Sequence, residues 1–164
     1  MAYVGRFATS RAKLADYLRR KVREKGWDAP QPPAIEPLVE RLVALGYIDD
    51  AAFALSKARA LGSRGYGGRR VEQALHQAGI DEAHGAPARA AVRDGAVAAA
   101  IRFAQRRRLG PFAPERSDPK ARERALAAMI RAGHGFDLSR RLIDLPPDRD
   151  CDPVALEQAL SLAH

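Results

Sequence analysis

The sequence predicts an all-α chain in which a three-helix module is repeated in tandem. Composition is the first sign. The 164 residues are 46% hydrophobic but only 6% aromatic, and Ala supplies much of the apolar content, which suits closely packed helices better than sheet. Periodicity is the second. Apolar residues recur at i, i+3 and i+4, one face of a helix, and no segment alternates over the length of a strand. The third is recurrence. Leu14/Tyr17/Leu18, Val71/Ala74/Leu75 and Leu126/Met129/Ile130 share one spacing on helices rich in basic residues. Each helix runs on to Gly and a large apolar residue: Trp27, Ile80 and Phe136. The copies lie roughly 45 to 60 residues apart, a period typical of helical repeat arrays. On this reading the third copy has one extra residue at its end.

Residues Ala2 to Ala8 read as the remnant of a first helix. Ser10 caps the next, whose stripe is Leu14, Tyr17, Leu18 and Val22 and whose other face carries Arg11, Lys13, Arg19, Arg20, Lys21, Arg23 and Lys25. Three prolines between Asp28 and Pro33 make a stiff loop. Ile35, Leu38, Val39 and Leu42 form the following stripe, which ends at Gly46-Tyr47: glycine takes the left-handed conformation that closes a helix, and the apolar residue after it folds back. Asp49 and Asp50 offer carboxylates to the free N–H groups of the next helix. That helix ends at Gly65-Tyr66, and Gly67-Gly68 opens the one bearing Val71, Ala74, Leu75 and Ala78. From Asp81 to Arg93, Gly85 and Pro87 predict a weak or broken helix. Val97, Ala100, Ile101 and Ala104 restore a clear stripe up to Gly110. Asp118-Pro119 starts the third middle helix with a cap residue and Pro at the first helical position. A short segment from Leu138 to Ile143 follows, and a Pro- and Asp-rich tail ends in a short helix from Pro153.

The formal net charge of +8 and pI near 10.2 suit a polyanionic partner, or else reflect surplus surface Arg. A single cysteine, Cys151, excludes an internal disulfide. No apolar run approaches membrane-spanning length and no signal peptide is visible, so the expected location is cytoplasmic, with no membrane partner.

Several short motifs also occur in one order: Leu45-Gly46-Tyr47-Ile48-Asp49-Asp50, Phe53, Arg64-Gly65-Tyr66-Gly67, Arg69-Arg70 and Gly79-Ile80. Together they resemble the RecX family, regulators of the RecA recombinase. The resemblance spans roughly Tyr3 to Leu145 and implies an elongated, curved array. The expected repeats are 1–48, 49–93 and 94–145, with a tail at 146–164. It also implies binding in the groove of the RecA–DNA filament and modulation of RecA recombinase, ATPase and coprotease activity in DNA repair and the SOS response. DNA contact is expected to be weak and electrostatic, the chain to be a monomer, and the tail to be dispensable for filament binding.

The residues themselves suggest no catalyst. The four histidines lack metal-site spacing, Asp49 and Asp50 are explained by capping, and Gly65-Tyr66-Gly67-Gly68 lacks the ending of a phosphate loop. No catalytic residue, metal or cofactor is assigned, and the histidines read as scattered surface or cap residues. The candidate contact residues for RecA and DNA are Arg64, Arg69, Arg70, Gln73, Arg102, Arg106, Arg107, Arg19, Arg20 and Arg23. For these two readings stay open, groove contact or a solvated, dipole-complementing helix face. A rival function is direct DNA binding, either sequence-independent or through a helix-turn-helix.

Overall fold

The computed structural model describes residues 9–162. The described residues contain no strand. Their helices are α1 (Arg11–Lys25), α2 (Ile35–Ala44), α3 (Asp50–Ser63), α4 (Gly68–His76), α5 (Glu82–Asp94), α6 (Ala96–Arg107), α7 (Pro119–Arg131), α8 (Phe136–Asp144) and α9 (Pro153–Leu162), with a 3-10 turn at Gly110–Phe112. The expected remnant helix at Ala2–Ala8 lies outside the described residues.

Three separate apolar clusters hold the array together. Leu14, Ile35, Val39 and Ile48 join α1 to α2. Ala54, Ala58, Val71, Leu75 and Ala88 join α3, α4 and α5. Ile101, Phe103, Met129 and Leu142 join α6, α7 and α8, and Leu160 of α9 completes that cluster. The tail is thus docked: Leu160 is buried, its carbonyl accepts a bond from Arg141, and Asp148 N–H donates to Pro111 O. Burying such a leucine is worth about 2 kcal/mol, so a tail outside the resemblance still supports the third core.

α1, α4 and α7 hold corresponding places, and backbone contacts between them join the groups. The N-cap of α1, Ser10, donates its hydroxyl to Ala78 O at the end of α4 at 2.6 Å. The N-cap of α4, Gly67, donates its N–H to Ala132 O at the end of α7 at 2.9 Å. Ala78-Gly79-Ile80 and Ala132-Gly133-His134 are equivalent sites, each glycine at positive φ (66° and 96°) and each following residue returning its N–H to the helix, Ile80 to Leu75 O and His134 to Met129 O. Neither glycine has room for a side chain. A Cβ on Gly79 would lie 2.4 Å from Ala12 Cβ, and one on Gly133 would lie 2.5 Å from Arg70 N.

This register corrects the sequence reading of the third copy. Ala125 and Met129 are the buried pair of α7, matching Val71 and Leu75, while Leu126 and Ile130 are half-buried. The stop is therefore Gly133-His134, with no extra residue, and Phe136 is the exposed first residue of α8. A small alanine took the crowded position, so the larger neighbours misled the pattern. Two further expectations change. α5 is continuous through Gly85 and Pro87 because it packs along α3, with Ala88 buried beside Ala54 and Ala58, and because Gly85 leaves room for Arg89 to fold back onto Glu82 O and clamp Glu72 with two bonds of 2.7 and 2.8 Å. Asp49 caps α3, but Asp50 caps α1, accepting Arg11 N–H at 2.8 Å across the first junction.

Gly133→Ala is expected to cost about 2–4 kcal/mol, from left-handed strain plus the clash. Gly62→Ala, at a helical position whose Cβ meets nothing, is expected to gain about 0.5–1 kcal/mol. Urea unfolding followed by circular dichroism measures both.

Candidate functional site

The second junction, between α4 and α7, has the most chemistry around it. Gly65 sits at φ 73°, with Phe103 N and Ala99 O of α6 so close that a Cβ would meet them at 2.8 and 3.2 Å. Gly67 needs no unusual φ, but a Cβ there would lie 2.4 Å from Gly133 O. These approaches bring α3, α4, α6 and α7 to one place. His134 fills it. The ring is buried, its Nε2 lies 3.0 Å from Gly65 O, and its centroid is 5.5 Å from the Phe103 ring. A carbonyl can only accept, so Nε2 carries the proton. Burial holds the imidazole pKa below its ordinary value, and the bond to Gly65 only partly offsets this. His134 is a structural centre that the sequence left among scattered histidines. With the third repeat in its correct register, it stands where Ile80 stands in the second.

Phe103 links this centre to the surface. The Arg106 and Arg107 guanidinium carbons each lie 5.8 Å from its ring centroid, the geometry of cation–π attraction. With Tyr66 and Arg131 they line an open cleft of 630 Å³. Arg102 and Arg106, one turn apart on α6, reach the end of α3: Arg102 Nε donates to Gly62 O at 3.2 Å and Arg106 to Arg64 O. Both therefore complement the negative end of the α3 dipole. Arg69 N–H bonds Gly133 O while its side chain stays exposed, and Arg70 donates to Gln73 at 2.9 Å.

Arg108, the last of three consecutive arginines at the end of α6, was not among the candidate contact residues. It is the one described non-glycine at positive φ, 54°, and closes α6 where Gly65 closes α3. Arginine there costs about 1–2 kcal/mol of backbone strain. The triple arginine was the only signal.

The charge distribution separates this surface from the rest of the chain. The stretches 51–71, 95–114 and 125–136 hold ten Lys and Arg and no Asp or Glu. Among the described residues none of the ten is ion-paired. α1 differs: Arg19 is held by Asp16 and Glu36, Arg20 pairs with Glu24, and Arg23 lies within the electrostatic reach of the same Glu24. The structure gathers Arg64, Arg69, Arg70, Gln73, Arg102, Arg106 and Arg107 around one junction and leaves Arg19, Arg20 and Arg23 on another module. Gly46, Tyr47 and Asp49 are the helix stop and start before α3, with Tyr47 N–H bonded to Leu42 O and its side chain exposed.

Residues 49–85, the heart of this region, match the family model described as RecX, second three-helix domain. The chain is 33% identical over 162 residues to Regulatory protein RecX of Myxococcus xanthus, covering 88% of this chain and 82% of that protein. The chain belongs to the RecX family. It is also 29% identical to Regulatory protein RecX of Trichlorobacter lovleyi, over 85% of this chain and 90% of that protein. The protein of that name from Agrobacterium fabrum is 28% identical over 80% of this chain and 72% of its own length. The junction glycines and His134 are thus part of the scaffold of a RecX-family chain. No described helix is long and apolar enough to cross a membrane.

Two outcomes follow from the junction. Arg108→Gly should raise stability by about 1 kcal/mol, read as a higher urea midpoint. His134 should make stability fall with acid. The unfolded chain takes up the imidazole proton near pH 6.5 and the folded chain only at lower pH, so its contribution is complete above pH 6.5 and is lost as pH drops toward the depressed folded value. His134→Gln, which can still donate to Gly65 O, should show a shallower loss of stability between pH 7 and 5.

Proposed function

We propose that this protein is a non-catalytic regulator of RecA that docks the basic junction of its second and third repeats into the groove of the RecA–DNA filament. Bound there, it restrains recombinase, ATPase and coprotease activity in DNA repair and the SOS response. The observation that carries this reading is the acid-free concentration of unpaired cations around Gly65–Arg70 and Arg102–Arg108, in a chain whose relatives are named regulatory proteins. Guanidinium groups pair with carboxylates and phosphates, and a nucleoprotein groove offers both. An array that contacts one filament state better than another shifts the filament toward that state by contact alone, and no cofactor is needed. Repeats at 1–48, 49–93 and 94–145, a monomer, and a cytoplasmic location belong to the same proposal.

Direct DNA binding is the second reading, and the observation that favours it is the aromatic, arginine-lined cleft. A recognition helix enters the major groove with its N-terminal residues; in α4 the backbone start is bonded to Ala132 and Gly133 of the next repeat, while the Arg69 and Arg70 side chains stay exposed.

The test is inhibition of RecA's DNA-dependent ATPase as a function of salt, with circular dichroism as the folding control. Arg69→Glu with Arg70→Glu should leave the fold intact, because Val71, Leu75 and Ala78 are untouched. It should weaken inhibition at least about tenfold, and the dependence of log affinity on log salt should fall by about 2, one for each lost ionic contact. Equal inhibition and equal slope in both proteins would assign these arginines to a solvated helix face.

A further inference from the structure

A second depression opens beside the arginine cleft and differs from it in chemistry. It is a groove of 330 Å³ between α3, the start of α4 and the α5–α6 turn, with Tyr66 lining both depressions. Its walls are small and apolar, among them Ala58, Gly62, Val71, Ala91 and Ala99, and two arginines, Arg59 on α3 and Arg102 on α6, line it as well. Arg59 is exposed and has no ion-pair partner among the described residues. Gly62 lines the groove from a helical position, and a Cβ built on it would meet nothing within 4 Å.

We propose that this groove binds the protein component of the filament, taking an apolar side chain that is flanked by a carboxylate. The inference rests on the proposed function and divides that site in two, a cleft for charge and a groove for a protein anchor. Burying an apolar side chain against Ala, Gly and Val leaves no polar group unpaired and gains the hydrophobic term. A nucleobase placed there would set most of its edge against apolar walls, with only Arg59, Arg102 and Ser63 to pair it, and each group left unpaired is costly. Arg59 and Arg102, with no carboxylate nearby in sequence, set the sign of the flanking residue and orient the anchor. The volume sits at the small end of the ~300–1,000 Å³ typical of ligand pockets, room for side chains.

The groove can be plugged without disturbing the junction. Gly62→Leu projects into it from a helix that tolerates the change, and Gly62→Ala serves as the control that leaves it open. The probes are a RecA filament on single-stranded DNA, read by ATPase inhibition, and the same DNA strand alone, read by fluorescence anisotropy. Gly62→Leu should need about tenfold or more protein for half-inhibition, the loss expected when one anchor side chain loses its pocket. Gly62→Ala should match wild type, and all three proteins should bind bare DNA equally. Arg59→Glu, an exposed change, should also weaken inhibition and keeps the proposal testable should Gly62→Leu fold poorly. Wild-type inhibition by Gly62→Leu and by Arg59→Glu would overturn the protein-anchor proposal alone. Parallel loss of bare-DNA binding in Gly62→Leu would overturn it in favour of a nucleic-acid groove. No inhibition by the wild type would overturn the proposed function, and this inference with it.

Discussion

Two middle helices can meet end to start only if nothing larger than a hydrogen atom lies between them. At Gly79 and Gly133 the backbone turns left-handed and a neighbouring helix start occupies the space a side chain would need. The preceding alanine carbonyl, on Ala78 or Ala132, then accepts a bond from the N-cap of the helix before it. Each junction therefore satisfies one helix end with another, where solvent or a side chain would otherwise serve. Three small cores, each too small to be strongly stable alone, become one array through these contacts.

The site inherits its geometry from the second junction. Gly65 and Gly67 let α3 and α4 approach α6 and α7, His134 fills the space with a fixed tautomer, and Phe103 lies between His134 and the arginines of α6. Arg102 and Arg106 spend part of their hydrogen-bonding capacity on the end of α3, which orders their side chains at little entropic cost on binding. The same residues hold the scaffold and shape the surface. Among the described residues Arg108 is the one non-glycine in the αL region, and its side chain is exposed.

Much of this was legible in the sequence. The helical class, the Gly-apolar stops at Gly46, Gly65 and Gly79, and the family motifs all depend on short-range pattern, and short-range physics decides them. What was not legible depends on contacts between distant residues. Asp50 looked like a second cap for its own helix because its true partner, Arg11, is 39 residues away. α5 looked broken because its contact with α3 cannot be seen along the chain. The third repeat was read one residue out of register because burial there favours Ala125 over Leu126, a choice made by crowding and not by hydrophobicity. Among the candidate arginines, net charge could not separate Arg19 and Arg20, whose charge is met by nearby carboxylates, from Arg64, Arg69 and Arg107, whose charge is not.

The central claim is that the second-to-third junction is the face presented to the RecA–DNA filament. Amide hydrogen exchange of the full chain, free and mixed with filament assembled on single-stranded DNA, tests this most directly. The account predicts slowed exchange in peptides covering residues 59–71 and 102–110, with little change in α1 and α2. Protection confined to α1 and α2, with the junction peptides unchanged, would contradict it.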